Sequence, residues 1–540
     1  MAGSGEVISV ATGGYSGHVG AHYWGLQEAE FSQNSEICSD VLFRRGVTLQ
    51  GAETYTPRLI SLDLKGSVRS LRDEGYLYEE RGARHSTPAW TGSVSVHSQE
   101  ARQGEAAAQG GDHDGDSLAH PSGGTGTPLT TEMSSWLWSD VLQTKLHPKS
   151  LCLVSSPGGD GLESFSQGEA VFKAQLEELE DRLHFFSEEC DYLQGFQLLC
   201  DLHNGFSGVG ARTAELLHDE YPGRGILSFG TCPAPSGDRD PCTAVYQLVN
   251  CVLALGPLCS QSSFFCPLSV SSSLGRRPGA SAAFPQLLYN AALPYHSSAV
   301  LALALNTLTA PYRMSSSGFS MLHFAEALTF GGRKMLAATC SVPFPLAPAW
   351  SLPDALLPHM TSAPWRSVSP CQHPSTVFSQ SVVLRGIPET RQTSSLPAGT
   401  RLPSSLHACE SGSQVLQHYL SSLYSRALST THLLGAPCAL GSTFPQFFSR
   451  FVTKDGFTME QPQSEAPVVG HIPVMGALQA SSALHQTLRV LCQEVSASDV
   501  RRWMNFSTAA VEQDDFREAV DTVRSLAHCY REGEESDDSD

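Results

Sequence analysis

The glycine-rich segment Asn204–Arg212 (NGFSGVGAR) has the residue types and spacing that could bind an anion. Glycine has no Cβ, so backbone N–H groups can approach a phosphate closely, and a helix beginning directly after the turn adds its partial positive end. The segment lies within Cys190–Tyr221, for which the pattern predicts an incoming amphipathic helix, the turn and an outgoing helix from Ala211. A phosphate-binding loop is one hypothesis. An ordinary tight turn between two elements is the alternative, which an isolated motif favours.

A second glycine-rich turn, Gly13–Gly20, follows the segment Glu6–Thr12, whose alternating apolar residues predict a short strand. A helix is predicted after this turn. The order strand, glycine turn, helix is typical of the first unit of an α/β nucleotide-type domain. The glycine spacing does not match the strict dinucleotide-binding fingerprint, so the turn alone does not identify a ligand.

Asp63 lies in a second strand-like run, Pro57–Leu64, just before a turn at Lys65-Gly66. A carboxylate in this position can hold a metal ion or a water, but it can equally cap a helix or turn, which is the simpler interpretation. The histidines and cysteines are not paired at the spacing of metal ligands, so we predict no metal site.

The elements that would position these residues alternate between strand and helix. An apolar stripe from Leu176 to Leu193 predicts a helix leading to the glycine turn, and Gly225–Gly230 predicts another strand. This alternation predicts a mostly parallel sheet with helices on both faces. Residues 352–413 predict a loop-rich region with one strand, Ser381–Ile387, and two apolar stripes near the C-terminus predict an antiparallel helical hairpin.

Shifts in composition along the chain predict its domain organisation. Residues 98–132 contain almost no large apolar side chains and cannot bury enough surface to offset the entropy of ordering, so we predict a disordered insertion. The other predicted units are residues 1–97 and 133–335 for the nucleotide-type domain and its central helix, 336–480 for a second α+β domain, 481–531 for the helical hairpin and 532–540 for an acidic disordered tail.

The composition argues against several classes of protein. A formal net charge of −20 argues against nucleic-acid binding, which needs a basic face. The first residues do not resemble a secretory signal, and no apolar run reaches the roughly 18 residues of a membrane-spanning helix, so we predict no transmembrane segment. The fifteen cysteines are scattered without CxxC pairs, which indicates reduced, buried thiols in a cytosolic protein.

Several stretches, in the same order along the chain, resemble tubulin. CDYLQGFQ, which begins at Cys190, resembles the segment before the tubulin phosphate loop, and NGFSGVG, which begins at Asn204, resembles a degraded form of that loop. The other matches are Gly13–Trp24, Tyr55–Val68 and the C-terminal run from Met475 with its acidic end. With its Ser-rich insertions and the segment Val342–Pro348, the chain is identified as a member of the Misato family, a divergent relative of tubulin and FtsZ. The resemblance implies an α/β, tubulin/FtsZ-like fold.

The resemblance also implies a vestigial nucleotide site that has lost several polar contacts. Its candidate residues are Gly13, Gly17, Asp63, Gly205, Ser207, Gly208, Gly210, Asp240 and Phe319. The departures from the family pattern are Phe206 for a glycine, Gly14 for a glutamine that contacts phosphate or magnesium, Lys65 for an acidic residue, Ala244 for a ribose-binding glutamate, and Ser297 and His323 for two base-binding asparagines. Such changes weaken the hydrogen bonds that select guanine.

The catalytic loop of tubulins, GxxNxD, should precede the segment Val342–Pro348. We assign Gly331–Ser341 to this position, and it is too short to hold the loop and the helix that follows. We therefore expect no catalytic residues, no enzymatic activity and no required cofactor, and leave residual GTP binding open.

The resemblance finally implies a non-enzymatic role in mitochondrial distribution, morphology and network fusion. The protein would act in the cytoplasm and peripherally at the mitochondrial outer membrane, on proteins of the outer mitochondrial surface, with tubulin or chaperonin-linked factors as other partners. Two other functions stay open: a weak GTP/GDP-binding switch without efficient hydrolysis, and a tubulin- or spindle-associated assembly factor.

Overall fold

Two β-sheets and a buried helix between them organise the structure. The computed structural model describes residues 5–31, 36–47, 51, 53–68, 136–155, 161–235, 240–277, 279–315, 319–372, 376–397, 399–498 and 513–531. The predicted insertion at 98–132, the acidic tail at 532–540 and the connection between the last two helices lie outside these residues.

The first sheet contains six parallel strands, and a short antiparallel pair lies beside it. The six strands are β1 (Glu6–Thr12), β4 (Leu59–Leu64), β5 (Leu151–Val154), β6 (Leu193–Asp201), β7 (Gly225–Thr231) and β8 (Phe264–Leu268), and the pair is β2 (Phe43–Val47) with β3 (Glu53–Pro57). Their spatial order is β5-β4-β1-β6-β7-β8. Every neighbouring pair is parallel, which confirms the predicted parallel α/β sheet.

The helices that flank this sheet fix the position of a candidate site. The described α-helices are α1 (Gly14–Glu30), α2 (Trp138–Val141), α3 (Phe165–Glu188), α4 (Phe206–Glu220), α5 (Pro241–Gln261), α6 (Pro294–Leu308), α7 (Met321–Leu328), α8 (Leu352–Leu356), α9 (Gly412–Leu423), α10 (Ala483–Ala497) and α11 (Gln513–Cys529). The connections β1-α1-β4 and β6-α4-β7 run in opposite directions along the sheet. Because such crossovers are right-handed, α1 and α4 lie on opposite faces. The crevice at the carboxyl ends of β1 and β6 is therefore the expected ligand position.

The second sheet is mixed. Its strands are β9 (Ala337–Ser341), β10 (Arg366–Ser367), β11 (Val377–Arg385), β12 (Leu428–Leu434) and β15 (Val474–Ser481), and a separate pair is formed by β13 (Cys438–Ala439) and β14 (His471–Ile472). The spatial order is β10-β9-β15-β11-β12. The strand predicted at Ser381–Ile387 is thus the second half of β11, and the region predicted to be loop-rich also contains α8.

Helix α6 lies between the two sheets, and every side chain from Ser297 to Leu308 is buried. A polar network surrounds its C-terminal half. Glu30 Oε1 accepts hydrogen bonds from Asn306 Nδ2 over 3.0 Å and from Arg385 Nη2 over 2.7 Å. The side chains of Arg385 and Glu30 are 0% and 4% exposed. Since these residues belong to α1, α6 and β11, one buried carboxylate connects both sheets through the central helix.

The C-terminal helices form the predicted hairpin. Helices α10 and α11 pack against each other and against α5. His485 lies beside the carbonyl of Ala527, and the Cys492 thiol donates to the carbonyl of Val520, so the two helices run antiparallel.

Helix α5 corrects the prediction that no apolar run is long enough to span a membrane. It is 21 residues long and contains an 18-residue stretch with a mean hydropathy of 1.5, so by length and composition alone it could cross a membrane. In the structure, 67% of this apolar stretch is buried. It packs against α4, α10 and α11, and this packing accounts for its apolar composition.

The element that leads into the glycine turn was predicted wrongly. Helix α3 ends at Glu188, and Leu193–Asp201 is the strand β6, so Cys190–Tyr221 contains a strand, a turn and a helix. All nine residues of β6 are buried. A strand buried on both faces has no alternating pattern, and its apolar residues continued the helical stripe by coincidence. The turn predicted at Gly13–Gly20 is likewise already part of α1, from Gly14.

The buried pair Arg385–Glu30 predicts a stability effect. We expect Arg385→Ala to lower the free energy of unfolding by about 3–5 kcal/mol, because the Glu30 carboxylate would stay buried without its cation. In the exposed pair Arg524–Asp521, whose side chains are 55% and 68% exposed, Arg524→Ala should cost less than about 1 kcal/mol. Chemical denaturation of both variants measures the difference. Equal losses would contradict the assignment of a structural role to the buried pair.

Candidate functional site

The candidate site lies where β1 and β6 end side by side. Gly13 follows β1 with φ of +103°, in the left-handed region that favours glycine, and α1 begins at the next residue. Strand β6 ends at Asp201. A Cβ at Gly13 would overlap the Asp201 carboxylate, so Gly13 is required both by its backbone angle and by this carboxylate.

The Asp201 carboxylate occupies the N-terminal end of α1. It accepts hydrogen bonds from the backbone N–H groups of Tyr15 (3.2 Å) and Ser16 (2.7 Å) and from the Ser16 hydroxyl (2.8 Å). Thr231 Oγ1 and Asn204 Nδ2 donate to it over 3.0 and 3.1 Å. A helix N-terminus with free N–H groups is the usual binding position for a phosphate. Here an acidic side chain of the chain itself takes that position, and it is only 1% exposed.

The charge of Asp201 is balanced by these donors and by the helix rather than by an adjacent histidine. His18 lies one turn into α1, and burial lowers its pKa to about 4, so it is neutral at pH 7. Burial also raises the pKa of Tyr15, whose hydroxyl donates to Ser297 Oγ over 2.9 Å. The groups that hydrogen-bond to Asp201 are thus neutral side chains and backbone N–H groups.

Trp138 closes the neighbouring part of the site. Its indole N–H donates to Asp63 Oδ2 over 2.7 Å, and a Cβ at Gly17 would lie 2.7 Å from its ring. The other carboxylate oxygen of Asp63 accepts from the N–H of Leu64 over 2.7 Å. Burial, only partly opposed by these hydrogen bonds, raises the pKa of Asp63 to about 6. Both oxygens are thus engaged within the protein, by one backbone N–H and one indole N–H rather than by the N–H groups at the start of a helix.

The glycine turn before α4 is filled by packing and internal hydrogen bonds. The N–H of Gly205 donates to Leu162 O (2.9 Å), that of Phe206 to Asn204 Oδ1 (3.0 Å), that of Ser207 to Asn204 O (3.1 Å) and that of Gly208 to Gly205 O (3.0 Å). These four groups are the donors that a phosphate cradle would offer. Each one already has an acceptor in the chain.

The glycines of this turn are required by close packing. A Cβ at Gly205 would lie 2.6 Å from the carbonyl oxygen of Ser164, and one at Gly208 would overlap that of Phe165. Both neighbours belong to the start of α3. A Cβ at Gly210 would lie 2.5 Å from Cys200 on β6. The glycines therefore let α4 approach α3 and the sheet. This is the role expected of glycines in a tight turn between two packed elements.

Ser207 is the one predicted residue of this turn with an unsatisfied group. Its side chain is fully buried, and its hydroxyl has no hydrogen-bond partner within the described residues. A cavity at this edge of the sheet, lined by Leu202, Cys232 and Pro233 among others, encloses about 10 Å³. That is room for about one water, whereas ligand pockets usually need a few hundred Å³.

Two other predicted site residues have partners outside the Asp201 network. Asp240 is exposed and caps α5, accepting from the N–H of Thr243 over 3.4 Å. Phe319 contacts the ring of His432 on β12, with centroids 5.6 Å apart. The nearby Met321 N–H donates to the side chain of Gln194, at the opposite end of β6 from Asp201. Seven residues of strand separate Gln194 from Asp201, which corresponds to about 23 Å.

The position of Phe319 follows from the length of α6. This helix begins beside Tyr15, through Ser297, and its 15 residues carry the chain about 22 Å towards the other end of the sheet. Phe319 and His323 follow it and are not part of the site. Ser297 and His323 were predicted to replace the two base-binding asparagines, and of these two only Ser297 lies beside the Asp201 network, through Tyr15. The aromatic side chain at the start of α6 is Tyr295, which contacts Trp136 and His22.

The assignment of Gly331–Ser341 to the catalytic loop is also wrong. The chain between α6 and β9 contains a loop and the helix α7 at the end of the sheet opposite Asp201, so the space for such a loop exists. Aligned on the pattern GxxNxD, the segment that begins at Gly318 reads GFSMLH. Met321 and His323 then stand in place of the asparagine and the acid.

Asp201 and Trp138 were missed by the prediction of site residues. A signal for Asp201 was present: it is an acidic residue directly after a buried apolar run and directly before a glycine turn. Trp138 had no such signal, because more than seventy residues separate it from Asp63. Within the described parts of the chain, no three His, Cys, Asp or Glu side chains are grouped as metal ligands would be.

The fold defines a tubulin-like α/β protein, and in its site the Asp201 carboxylate lies at the N-terminus of α1. Two family models match: a Misato Segment II tubulin-like domain over residues 5–109 and a Tubulin domain over residues 127–314. The chain is similar to Protein misato homolog 1 of Mus musculus (47% identical) and of Homo sapiens (44%), and to Protein misato of Drosophila melanogaster (28%). Each alignment covers 98% of this chain and 99% of the relative. The chain belongs to the Misato family.

The buried Asp63 predicts a dependence of stability on pH. Its pKa of about 6 in the folded chain lies above the ordinary value of 3.8, so the folded state binds the proton more tightly than the unfolded state. This contribution to the free energy of unfolding is fully present below about pH 4 and is lost as the pH rises through 6. Between pH 7 and pH 4, wild type should gain on the order of 2–3 kcal/mol relative to Asp63→Asn.

Denaturant unfolding of both proteins at several pH values measures this gain. The comparison between wild type and variant cancels the titration of other groups, such as His18. A difference that does not change with pH, or that changes with the opposite sign, would contradict the buried position of this carboxyl.

Proposed function

We propose that this protein is a non-enzymatic, tubulin-like interaction protein that acts in the distribution, morphology and network fusion of mitochondria. It would act from the cytoplasm and at the outer mitochondrial surface, on proteins of that surface. The cellular role rests on membership of the Misato family. The non-enzymatic character rests on the closed site.

The observation that carries this proposal is the Asp201 carboxylate at the N-terminus of α1. A nucleotide phosphate in this position would meet a buried negative charge instead of free N–H donors, and like charges at such a distance repel strongly when both are desolvated. The internally bonded N–H groups of Gly205–Gly208 support the same conclusion for the second phosphate-binding position. The fold is thus kept without the interactions that would bind and hydrolyse GTP.

A weak nucleotide-binding switch is the alternative, and one observation favours it. The hydroxyl of Ser207, in the loop that resembles the tubulin phosphate loop, has no partner among the described residues. A nucleotide could use this group only if α3 moved away from the turn, since Phe165 and Ser164 lie against the glycines. Ser207→Ala therefore separates the two functions.

Isothermal titration with GTP, GDP and ATP tests the proposal. We expect no binding by wild type at millimolar nucleotide and no phosphate release. Ser207→Ala should have the stability of wild type, because the removed hydroxyl makes no hydrogen bond. Binding that Ser207→Ala weakens tenfold or more would replace this proposal with the switch.

Removing the carboxylate should create the anion site that it now fills. Asp201→Ala would leave the N–H groups of Tyr15 and Ser16 buried without acceptors, at a cost of about 2–4 kcal/mol. Inorganic phosphate should raise the melting temperature of this variant more than chloride of equal ionic strength does, because it would bind the freed N–H groups. Wild type should respond equally to both salts. A phosphate response in wild type would mean that the position is accessible.

Rescue of cells depleted of the protein tests the cellular role. Ser207→Ala should restore the mitochondrial network as fully as wild type does, because the proposed role does not use a nucleotide. Normal mitochondria in depleted cells, with defects confined to spindle microtubules, would instead favour the tubulin-associated assembly factor.

A further inference from the structure

We propose that the cleft bounded by α3, α4, α5 and α11 is a docking site for a basic, partly apolar segment of a partner protein. The cleft has a volume of about 650 Å³, within the range of pockets that enclose the side chains of a ligand. It lies on the outer side of α4, away from the Asp201 network. The proposal is independent of whether that network excludes nucleotides.

The floor of the cleft is apolar. Phe165, Ala211 and Leu253 line it and are each less than 9% exposed. Gly256 also lines it, and a Cβ there would lie 3.2 Å from the methyl group of Thr522, so the glycine lets α11 lie close to α5. This floor can bury an aliphatic or aromatic anchor of a partner, which is the usual centre of an interface.

The rim of the cleft is acidic. It carries four carboxylates, from Glu169, Glu215, Asp515 and Glu518, and one guanidinium, from Arg212. Arg212 is already paired with Glu169 over 2.7 Å and with Glu215 over 2.5 Å. The negative charge therefore exceeds the positive charge around the opening, and the two carboxylates on α11 are exposed. A partner with Lys or Arg beside its anchor would be complementary to this rim.

These features select one class of partner. Anionic membranes and nucleic acids would be repelled by the rim, and the overall charge of −20 would add to that repulsion. An acidic peptide would be repelled as well. A basic amphipathic segment, with cationic side chains on both sides of an apolar stripe, fits the floor and the rim together.

Fluorescence anisotropy on the full chain tests the site with two labelled 16-residue peptides, a length of about four helical turns. One peptide contains Leu and Lys at helical spacing, and the other has Glu in place of every Lys. We expect the Lys peptide to bind at physiological salt and the Glu peptide not to bind. The double variant Glu215→Lys, Glu518→Lys should bind the Lys peptide with at least tenfold lower affinity. Ala519→Phe, which fills the cleft without changing its charge, should weaken it by a similar factor.

The matched control reverses two charges outside the cleft. Asp219 and Glu220 are exposed at the end of α4. The double variant Asp219→Lys, Glu220→Lys changes the net charge by the same amount as the cleft variant does. It should leave the affinity within twofold of wild type. Equal weakening by both double variants would show that the overall charge attracts the peptide, and would overturn the proposal. Binding of the Lys peptide that Ala519→Phe leaves unchanged would overturn it too.

Discussion

The hydrogen bonds of the Asp201 carboxylate hold the first sheet together at the point where its strand order reverses. One side chain at the end of β6 binds the start of α1, the end of β7 through Thr231 and the glycine turn through Asn204. In a nucleotide-binding sheet this junction is left open, and the ligand supplies the negative charge. Here a carboxylate of the chain itself accepts the hydrogen bonds of these groups, and this contributes to the stability of the junction.

The glycines of the site illustrate two physical uses of the same residue. Gly13 is needed for its backbone angle and for the approach of a carboxylate, whereas Gly208 and Gly210 are needed for the approach of a helix and a strand. A sequence pattern records only that a Cβ is excluded. It does not record whether a phosphate or a neighbouring backbone excludes it, so the pattern alone does not distinguish a phosphate loop from a tight turn.

The central helix α6 lies in a buried polar network that connects α1 with the second sheet. Its side chains are buried, and its Asn306 forms hydrogen bonds with Glu30 and Arg313. Glu30 is in turn paired with Arg385. Buried charges are tolerated only when they are paired and hydrogen-bonded, so this network favours one relative placement of the sheets. We infer that the tubulin-like architecture of the chain depends on this network and on the Asp201 junction together.

The sequence by itself determined the family, the parallel sheet, the strands β1 and β7, and the helical hairpin, because these depend on local periodicity and on short motifs spread along the whole chain. It did not reveal that β6 is a strand, since full burial removes the alternation that marks one. It also could not place Phe319, because the rise of α6 separates it from the site, or pair Trp138 with Asp63 across the fold. What fills an anion site is decided by side chains distant in sequence, and only the tertiary structure brings Asp201 to the end of α1.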